Sequence, residues 1–440
     1  MTPMRTRRSA WTGRVLAAGV LGLVIAVGAG VTNKTANVAL AAPETPQVNE
    51  VTKWNAIAQS TVLAQPPNAS APPAFVVFMA MTQGAVYGAV NAIDRRHRQY
   101  LVLGRVNPMA SKEAAVATAA FHVLDTLFPA QHEMLQAQYD SSLAAIPEGD
   151  LKQAGIDAGN AAADAMLAEG HDGRLGPIPP LPPDGPGYWE PLLVDGIPQL
   201  DPSPWVANAR PFLIQSSSQF RTEGPNPLTS AAYTDDFNEV KELGGLDSTT
   251  RTTEQTHTAI FWQSNAAATW NGVARRLAED PSRALDVSDS ALLFAMLDLS
   301  AADASITCWS DKYYWGFWRP IAAIREADTD GNPATEADAD WTPLFTPPYP
   351  EHPSGHLCQS SSSLHALQAF SGTDEVSFYV TSVRFPGEQR SFDRFSDAIG
   401  ELIEARIWAG LHFRTADVQG ARLGEEVARY TRLHWFQPLP

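Results

Sequence analysis

The chain has 440 residues and a formal charge of −17, and its length alone suggests roughly two or three domains or one large one. Residues 1–41 hold five basic side chains and no acidic one, so without them the charge is −22; a protein that acidic argues against nucleic acid or an anionic membrane as partner, since both need a cationic footprint. Its two cysteines, Cys308 and Cys358, are too few for a disulfide scaffold or a multi-thiolate metal site.

At the amino terminus Arg5, Arg7, Arg8 and Arg14 precede an apolar run from Val15 to Val31, and Ala39-Leu40-Ala41 offers a small-x-small cleavage site. Residues 1–41 are therefore expected to be a bacterial-type export signal, giving a secreted or cell-envelope protein. The Arg7-Arg8 pair points to twin-arginine export, although Ser9-Ala10-Trp11 stands where a more apolar match is expected. An uncleaved anchor is the other reading, with the run at the lower limit of a bilayer span. Beyond it, Phe75 to Ile93 is the most apolar stretch, and Thr82, Gln83 and Asn91 make it a buried or amphipathic helix rather than a span.

Apolar residues recurring every three or four positions predict helices over 73–93, 111–140, 151–169, 255–279, 289–318, 354–371, 391–410 and 415–433. Strand-like alternation is scarce, and the punctuation is rich in Pro and Gly, as in GPIPPLPPDGPGYW (Gly176 to Trp189) and TPPYPEHP (Thr346 to Pro353). The expected architecture is all-α, built of packed helices. Residues 42–225 form an amino-terminal helical half with proline-rich loops, and residues 226–440 a carboxy-terminal half carrying the candidate site. The proline-rich stretch over about residues 174–230 reads either as their boundary or as a belt over one shared core. DTDGNPATEADAD, Asp328 to Asp340, places Gly331 fourth rather than sixth, so it is expected to be a solvated loop and not a calcium loop.

Tyr349 to His356 reads YPEHPSGH and sets His352 and His356 four apart. Histidines so spaced share a face only on a helix, and Pro353 and Gly355 oppose helix between them, which disfavours a zinc pair. Ser354 lies in no G-x-S-x-G elbow, which disfavours a serine hydrolase. The stretch is built to start a helix as an anion cradle: Pro353 suits a first turn, Ser354 brings a hydroxyl, and Gly355 admits an anion to free backbone N–H groups. In CWSDKYYWGFWRP, Cys308 to Pro320, helical spacing stacks Trp309, Lys312, Gly316 and Arg319 on one face, with Pro320 marking a helix end.

In DAIGELIEARIWAGLHFRTAD, Asp397 to Asp417, Arg406 continues the stripe Phe395, Ile399, Leu402 into the core, where an unpaired guanidinium is costly and demands an anion. His412 follows, and Gly410 can end the helix and swing it back. Three cations (Lys312, Arg319, Arg406), two neutral donors (Ser354, Gly355) and two imidazoles (His356, His412) describe a pocket for a tetrahedral oxyanion. One imidazole can bond to its central atom and one can move protons. Cys308 and Cys358 flank these motifs, and a disulfide between them is compatible with their convergence; spacing alone does not decide it.

These motifs resemble the signature of the superfamily of type 2 phosphatidic acid phosphatases and vanadium-dependent haloperoxidases. Lys-x6-Arg-Pro is matched by Lys312 to Pro320, Pro-Ser-Gly-His by Pro353 to His356, and Arg-x5-His by Arg406 to His412. The family usually has Ser before that arginine, where this chain has Ala405, and often Asp four after the histidine, where Asp417 is five after. KYYWGFWRP, Trp309 three before the lysine, and PPYPEHPSGH are most similar to the soluble haloperoxidase-like branch, with weaker similarity through RTTEQTHTAIFW and AVYGAVNAI.

The resemblance implies packed helical bundles of the haloperoxidase/acid phosphatase type. It implies that Lys312, Arg319, Ser354, Gly355 and Arg406 hold the oxygens of vanadate, that His412 is the vanadium ligand, and that His356 is the acid–base group. Trp309 and Tyr349 would stand near the halide or substrate, and His352 either stands there, as a halide-side or proton-relay group, or is a solvated loop histidine; Tyr349 occupies the place where the family tends to have Phe in the chloroperoxidase type and His in the algal bromoperoxidase type. The implied reaction is oxidation of halide, bromide before chloride, by hydrogen peroxide. The same constellation, without vanadate, serves a soluble exported acid phosphatase: His412 attacks a phosphate ester to give a phosphohistidine, and His356 protonates the leaving group. A non-catalytic anion-binding helical protein is the remaining reading.

Overall fold

The structure is a computed structural model that describes residues 48–169, 177–283 and 285–439. The expected export signal lies outside the described residues. Fourteen α-helices are found among them: α1 Glu50–Leu63, α2 Pro67–Ser70, α3 Pro72–Asp94, α4 Lys112–Leu127, α5 His132–Ala144, α6 Asp150–Ala168, α7 Ala231–Gly244, α8 Thr253–Phe261, α9 Ala266–Ala278, α10 Val287–Trp315, α11 Pro320–Arg325, α12 Gly355–Ser371, α13 Phe395–Trp408 and α14 Arg414–His434. Two antiparallel hairpins, β1 Leu193–Val194 with β2 Ile197–Pro198 and β3 Glu375–Thr381 with β4 Gln389–Arg394, and three short 3₁₀ helices, Pro129–Gln131, Pro204–Asn208 and Ala327–Thr329, accompany them.

The helix boundaries follow local chemistry. Asn49 and Thr52 form a capping box on α1, Thr252 and Gln255 another on α8, and the Asp286 carboxylate accepts the Asp289 N–H to start α10. The helix expected over 111–140 is two, because Pro129 has no N–H to continue α4. The one expected over 255–279 is also two, because Asn265 caps a fresh start at α9. The run expected over 289–318 ends at Trp315, where Gly316 takes the left-handed conformation with φ 57°. Arg319 is consequently not on the same helical face as Trp309 and Lys312; it is the residue preceding α11.

Four helices (α1, α2, α7 and α11) and both hairpins were not expected, and β4 takes up the first residues of the helix expected over 391–410. α1 and α7 are amphipathic and short, and β3 shows buried Val376, Phe378 and Val380 alternating with more exposed residues, a period of two that the helix-rich surroundings obscured.

One continuous apolar cluster runs from Trp54 on α1 through α3, α4 and α9 to α10, α12, α13 and α14. A smaller one gathers Tyr233, Phe237, Phe317, Trp318 and Phe413 between α7 and α11. α10 is the axis of the arrangement and packs on both α3 and α12, while α12 lies along α14. Both α3 and α10 are long and apolar enough to cross a membrane, and both are almost wholly buried inside the protein; sequence reading had picked out only α3.

The proline-rich middle is a belt. Asp303 of α10 accepts the N–H groups of Phe212, Leu213 and Ile214 at 2.6, 2.7 and 2.9 Å, and Asp311 accepts both the N–H and the hydroxyl of Thr222 at 2.7 Å. In return Asp201 of the belt accepts from Trp309 Nε1 and the Tyr313 hydroxyl of α10. In the acidic loop, Asp330 is buried and turned inward onto Asn332 and Thr335, so this segment is self-closed rather than simply solvated.

Candidate active site

Three chain segments meet at the amino end of α12. Ser354 precedes that helix but its hydroxyl caps no backbone N–H, so the first N–H groups of α12 are left to an outside acceptor. Gly355 is required by a close approach: a Cβ there would lie 2.8 Å from the Trp309 ring. This contact seats α12 on the last turns of α10. Tyr349 also packs against Trp309, with ring centroids 5.1 Å apart.

Lys312 is fully buried, and its ammonium donates to the carbonyls of Pro350, Glu351 and Pro353 at 3.0, 2.9 and 2.6 Å. All three donors are thus spent on the loop that leads to Ser354. Burying an ammonium costs several kcal/mol, and charge-assisted hydrogen bonds at about 1.5–3 kcal/mol each offset it. Desolvation still prevails enough to lower the lysine pKa to about 8. Arg319 also faces this loop, donating to the Tyr349, Pro350 and Leu411 carbonyls at 2.8, 3.2 and 2.9 Å. Both cations therefore set the loop's shape and contribute charge to the space beyond it.

Arg406 differs. It lies in the last turn of α13, is 5% exposed, and among the described residues makes only long contacts of 3.4 Å to the Trp262 carbonyl and Gln263 Oε1, while its buried Nε has no partner there. Desolvation lowers its pKa to about 10, opposed by the Asp417 carboxyl. Gly410, with φ 72°, closes α13 by letting the Leu411 N–H reach the Arg406 carbonyl, and this reversal aims His412 back at the site.

His412 is 3% exposed; its Nδ1 is 2.8 Å from Glu351 Oε1 and its Nε2 is 3.3 Å from Arg319 Nη1. Burial and the neighbouring Arg319, Lys312 and Arg406 hold its pKa well below 6.5. His356, on the first turn of α12, likewise has its pKa held well below 6.5 by burial and then by Arg406. Both imidazoles are neutral at neutral pH.

Gly355, His356, Arg406 and His412 meet in one cavity of about 380 Å³ whose walls include Trp309, Tyr349, Phe345 and Pro347. Of the residues singled out from sequence, Trp309, Tyr349, Gly355, His356, Arg406 and His412 line the cavity, while Lys312, Arg319 and Ser354 are not among its lining residues. His352 does not belong to it. It is 1% exposed and its Nε2 lies 3.2 Å from the Thr222 hydroxyl on the belt side, with a pKa lowered to about 3 by burial and by Lys312. Neither a place near the halide nor a solvated loop describes that position; the turn before Ser354 points its ring into the protein. Cys308 and Cys358 are free, buried thiols beside each other, Cys308 donating to the Pro353 carbonyl, and burial with that neighbour pushes the Cys358 thiol well up.

Two carboxyls complete the site: Glu351, to which sequence reading gave no role, and Asp417, which it set one position off the family's aspartate. Glu351 is fully buried beneath His412, and desolvation raises its pKa to about 8 against the pull of Arg319 and Lys312. Asp417, in the first turn of α14, is fully buried beside the Ser354 hydroxyl; burial raises its pKa, while Ser354 and Arg406 lower it. One signal was available for each: an acid inside an otherwise apolar proline-rich turn, and an acid one position from where the family motif carries its own.

Residues 292–437 match the family described as the VCPO second helical-bundle domain. Vanadium chloroperoxidase of Curvularia inaequalis is 30% identical over 185 residues, spanning 33% of this chain and 30% of that protein. The chain thus spans under a third of the length of that curated relative. Two bacterial crystal structures share the fold: a vanadium-dependent iodoperoxidase at TM-score 0.72 and 22% identity, covering 90% of this chain and 99% of that one, and a holo-type vanadium-dependent chloroperoxidase at 0.66 and 18%, covering 89% and 98%.

Proposed function

The chain belongs to the superfamily of vanadium-dependent haloperoxidases and type 2 phosphatidic acid phosphatases, and from that premise we propose that it is a vanadate-dependent haloperoxidase that oxidises bromide with hydrogen peroxide. The observation that carries the reading is the buried Arg406 guanidinium, whose Nε has no partner among the described residues, beside the uncapped N–H groups of α12 and the His412 imidazole at one cavity. A tetrahedral oxyanion satisfies each of these groups.

The residues fit vanadate in charge and in donor type. Arg406, the Ser354 hydroxyl and the Gly355 N–H would take its oxygens, Lys312 and Arg319 would add positive charge, and His412 would be the vanadium ligand through Nε2. Bound vanadate supplies a Lewis-acid centre that activates peroxide toward halide without changing its own redox state. His356, a neutral imidazole lining the cavity, would accept a proton from incoming hydrogen peroxide. Burial and Arg406 hold its pKa below 6.5, which leaves the ring unprotonated and able to accept that proton. Trp309 and Tyr349 give the halide a polarisable wall, and Arg406 supplies the only cation among the described cavity-lining residues.

Bromide is placed ahead of chloride because it is the easier of the two to oxidise. The deciding experiment pairs two assays: bromination of a phenol by protein loaded with orthovanadate and peroxide, and hydrolysis of an aryl phosphate by vanadate-free protein. Robust hydrolysis without bromination reverses the assignment in favour of the phosphatase, and the loss of both leaves an anion-binding protein.

A further inference from the structure

Glu351 is not part of any of the three sequence motifs, yet it touches the imidazole at the centre of the site. Its Oε1 lies 2.8 Å from His412 Nδ1 and 3.1 Å from the Phe413 N–H, its own N–H donates to the Phe317 carbonyl at 2.9 Å, and its carbonyl accepts from Lys312. The residue is held by its backbone and by one carboxyl oxygen, and it is fully buried. On the opposite edge of the ring, Nε2 faces Arg319 Nη1 at 3.3 Å.

These contacts leave one choice of tautomer. Arginine carries donors only, so Nε2 must present its lone pair; Oε1 already accepts the Phe413 N–H, so it is an acceptor and Nδ1 must carry the proton. The result holds whether or not Glu351 is ionised, because it follows from the donor-only Arg319 at Nε2: a neutral ring with its lone pair there carries its proton on Nδ1, Oε1 accepts it, and any proton on the carboxyl is left to Oε2. Neutral imidazole in water favours the proton on Nε2 instead, so the site selects the less common form.

We propose that Glu351 is a positioning residue that fixes His412 as the Nδ1–H tautomer and so turns the Nε2 lone pair toward the cavity. Its value to function rests on the reading that His412 Nε2 bonds to the central atom of an oxyanion. A carboxylate behind a metal-binding imidazole typically changes affinity by about 10–100-fold when removed. The electrostatic effect of a bare negative charge would run the other way, since it weakens binding of an anion.

The test reads the tautomer first, in full-length vanadate-free protein with 15N-labelled histidine, by the nitrogen shifts and the proton coupling of His412, assigned with His412→Ala. The expected result is an Nδ1-protonated ring in wild type, retained in Glu351→Gln, which keeps an acceptor oxygen, and lost in Glu351→Leu, which does not. Orthovanadate affinity, measured by equilibrium dialysis, then falls about 10–100-fold in Glu351→Leu and is largely restored in Glu351→Gln. A wild-type His412 protonated on Nε2 overturns the proposal, as does a Glu351→Leu protein with unchanged tautomer. If Glu351→Leu fails to fold, the wild-type and Glu351→Gln spectra still decide. Correct tautomers together with no orthovanadate binding by wild type would refute the functional reading and leave the positioning role standing.

Discussion

At the residue scale the site divides its charges by task. Arg406 has donors to spare, whereas Lys312 has spent all of its own on loop carbonyls. Removing either imidazole should therefore have different consequences. His412→Ala is expected to abolish vanadate retention, while His356→Ala should retain vanadate and lose about 10²–10⁴-fold in turnover; dialysis followed by vanadium quantification and a bromination assay separate the two, and equal vanadate affinity in wild type and His412→Ala would sink the ligand assignment. Lys312 makes a second expectation. Its pKa near 8 means that the ammonium is present below that pH and lost above it, so anion affinity should fall as pH rises through about 8. Calorimetric titration with orthophosphate between mildly acidic and alkaline pH would reveal a flat profile if Lys312 stayed charged.

At the element scale, α12 is useful because of what seats it. Gly355→Ala would drive a methyl group into the Trp309 ring, which is held by Asp201 and cannot simply move aside. The expected cost is about 1–3 kcal/mol of stability, accompanied by weaker orthophosphate binding; wild-type affinity in a well-folded Gly355→Ala protein would show that α12 need not sit where it does. The belt is fastened to α10 in the same specific way. Asp303→Ala leaves three backbone donors of residues 212–214 without their carboxylate, and a loss of at least about 3 kcal/mol follows, read as a lower guanidinium midpoint and as new proteolytic cleavage within residues 177–230. These elements also show where sequence reading reached. Caps and prolines marked most helix ends, but the break after Trp315 depended on Gly316 adopting a left-handed turn, and the β3–β4 hairpin gains its stability from buried Phe378 against Phe392 and Phe395 rather than from its own pattern.

At the scale of the whole molecule, one core joins the early and late helices, and it contains carboxyls that the site does not use. Asp298 on α10 is fully buried, with one oxygen accepting from Asn271 and the other unpartnered, and desolvation raises its pKa to about 7. A carboxyl whose folded pKa is raised favours the folded state below its unfolded pKa and loses that contribution as pH rises through the folded value. Asp298→Asn should accordingly gain stability relative to wild type as pH increases from about 4 to about 7; a pH-independent difference in melting temperature would contradict the assignment.

The sequence by itself determined which side chains could do the chemistry. Three cations, a Pro-Ser-Gly-His turn and an Arg-x5-His run were legible because caps, prolines and helical periodicity act over a few residues, and the cost of burying Arg406 could be inferred from its stripe alone. Only the tertiary structure decided how those groups are used: that Lys312 and Arg319 hold the loop, that His352 turns inward to Thr222, and that Glu351 reaches His412 across 61 positions of sequence. Such contacts depend on how α10, α12 and α13 pack together, and a buried polar group takes whichever partner that packing brings within hydrogen-bonding distance.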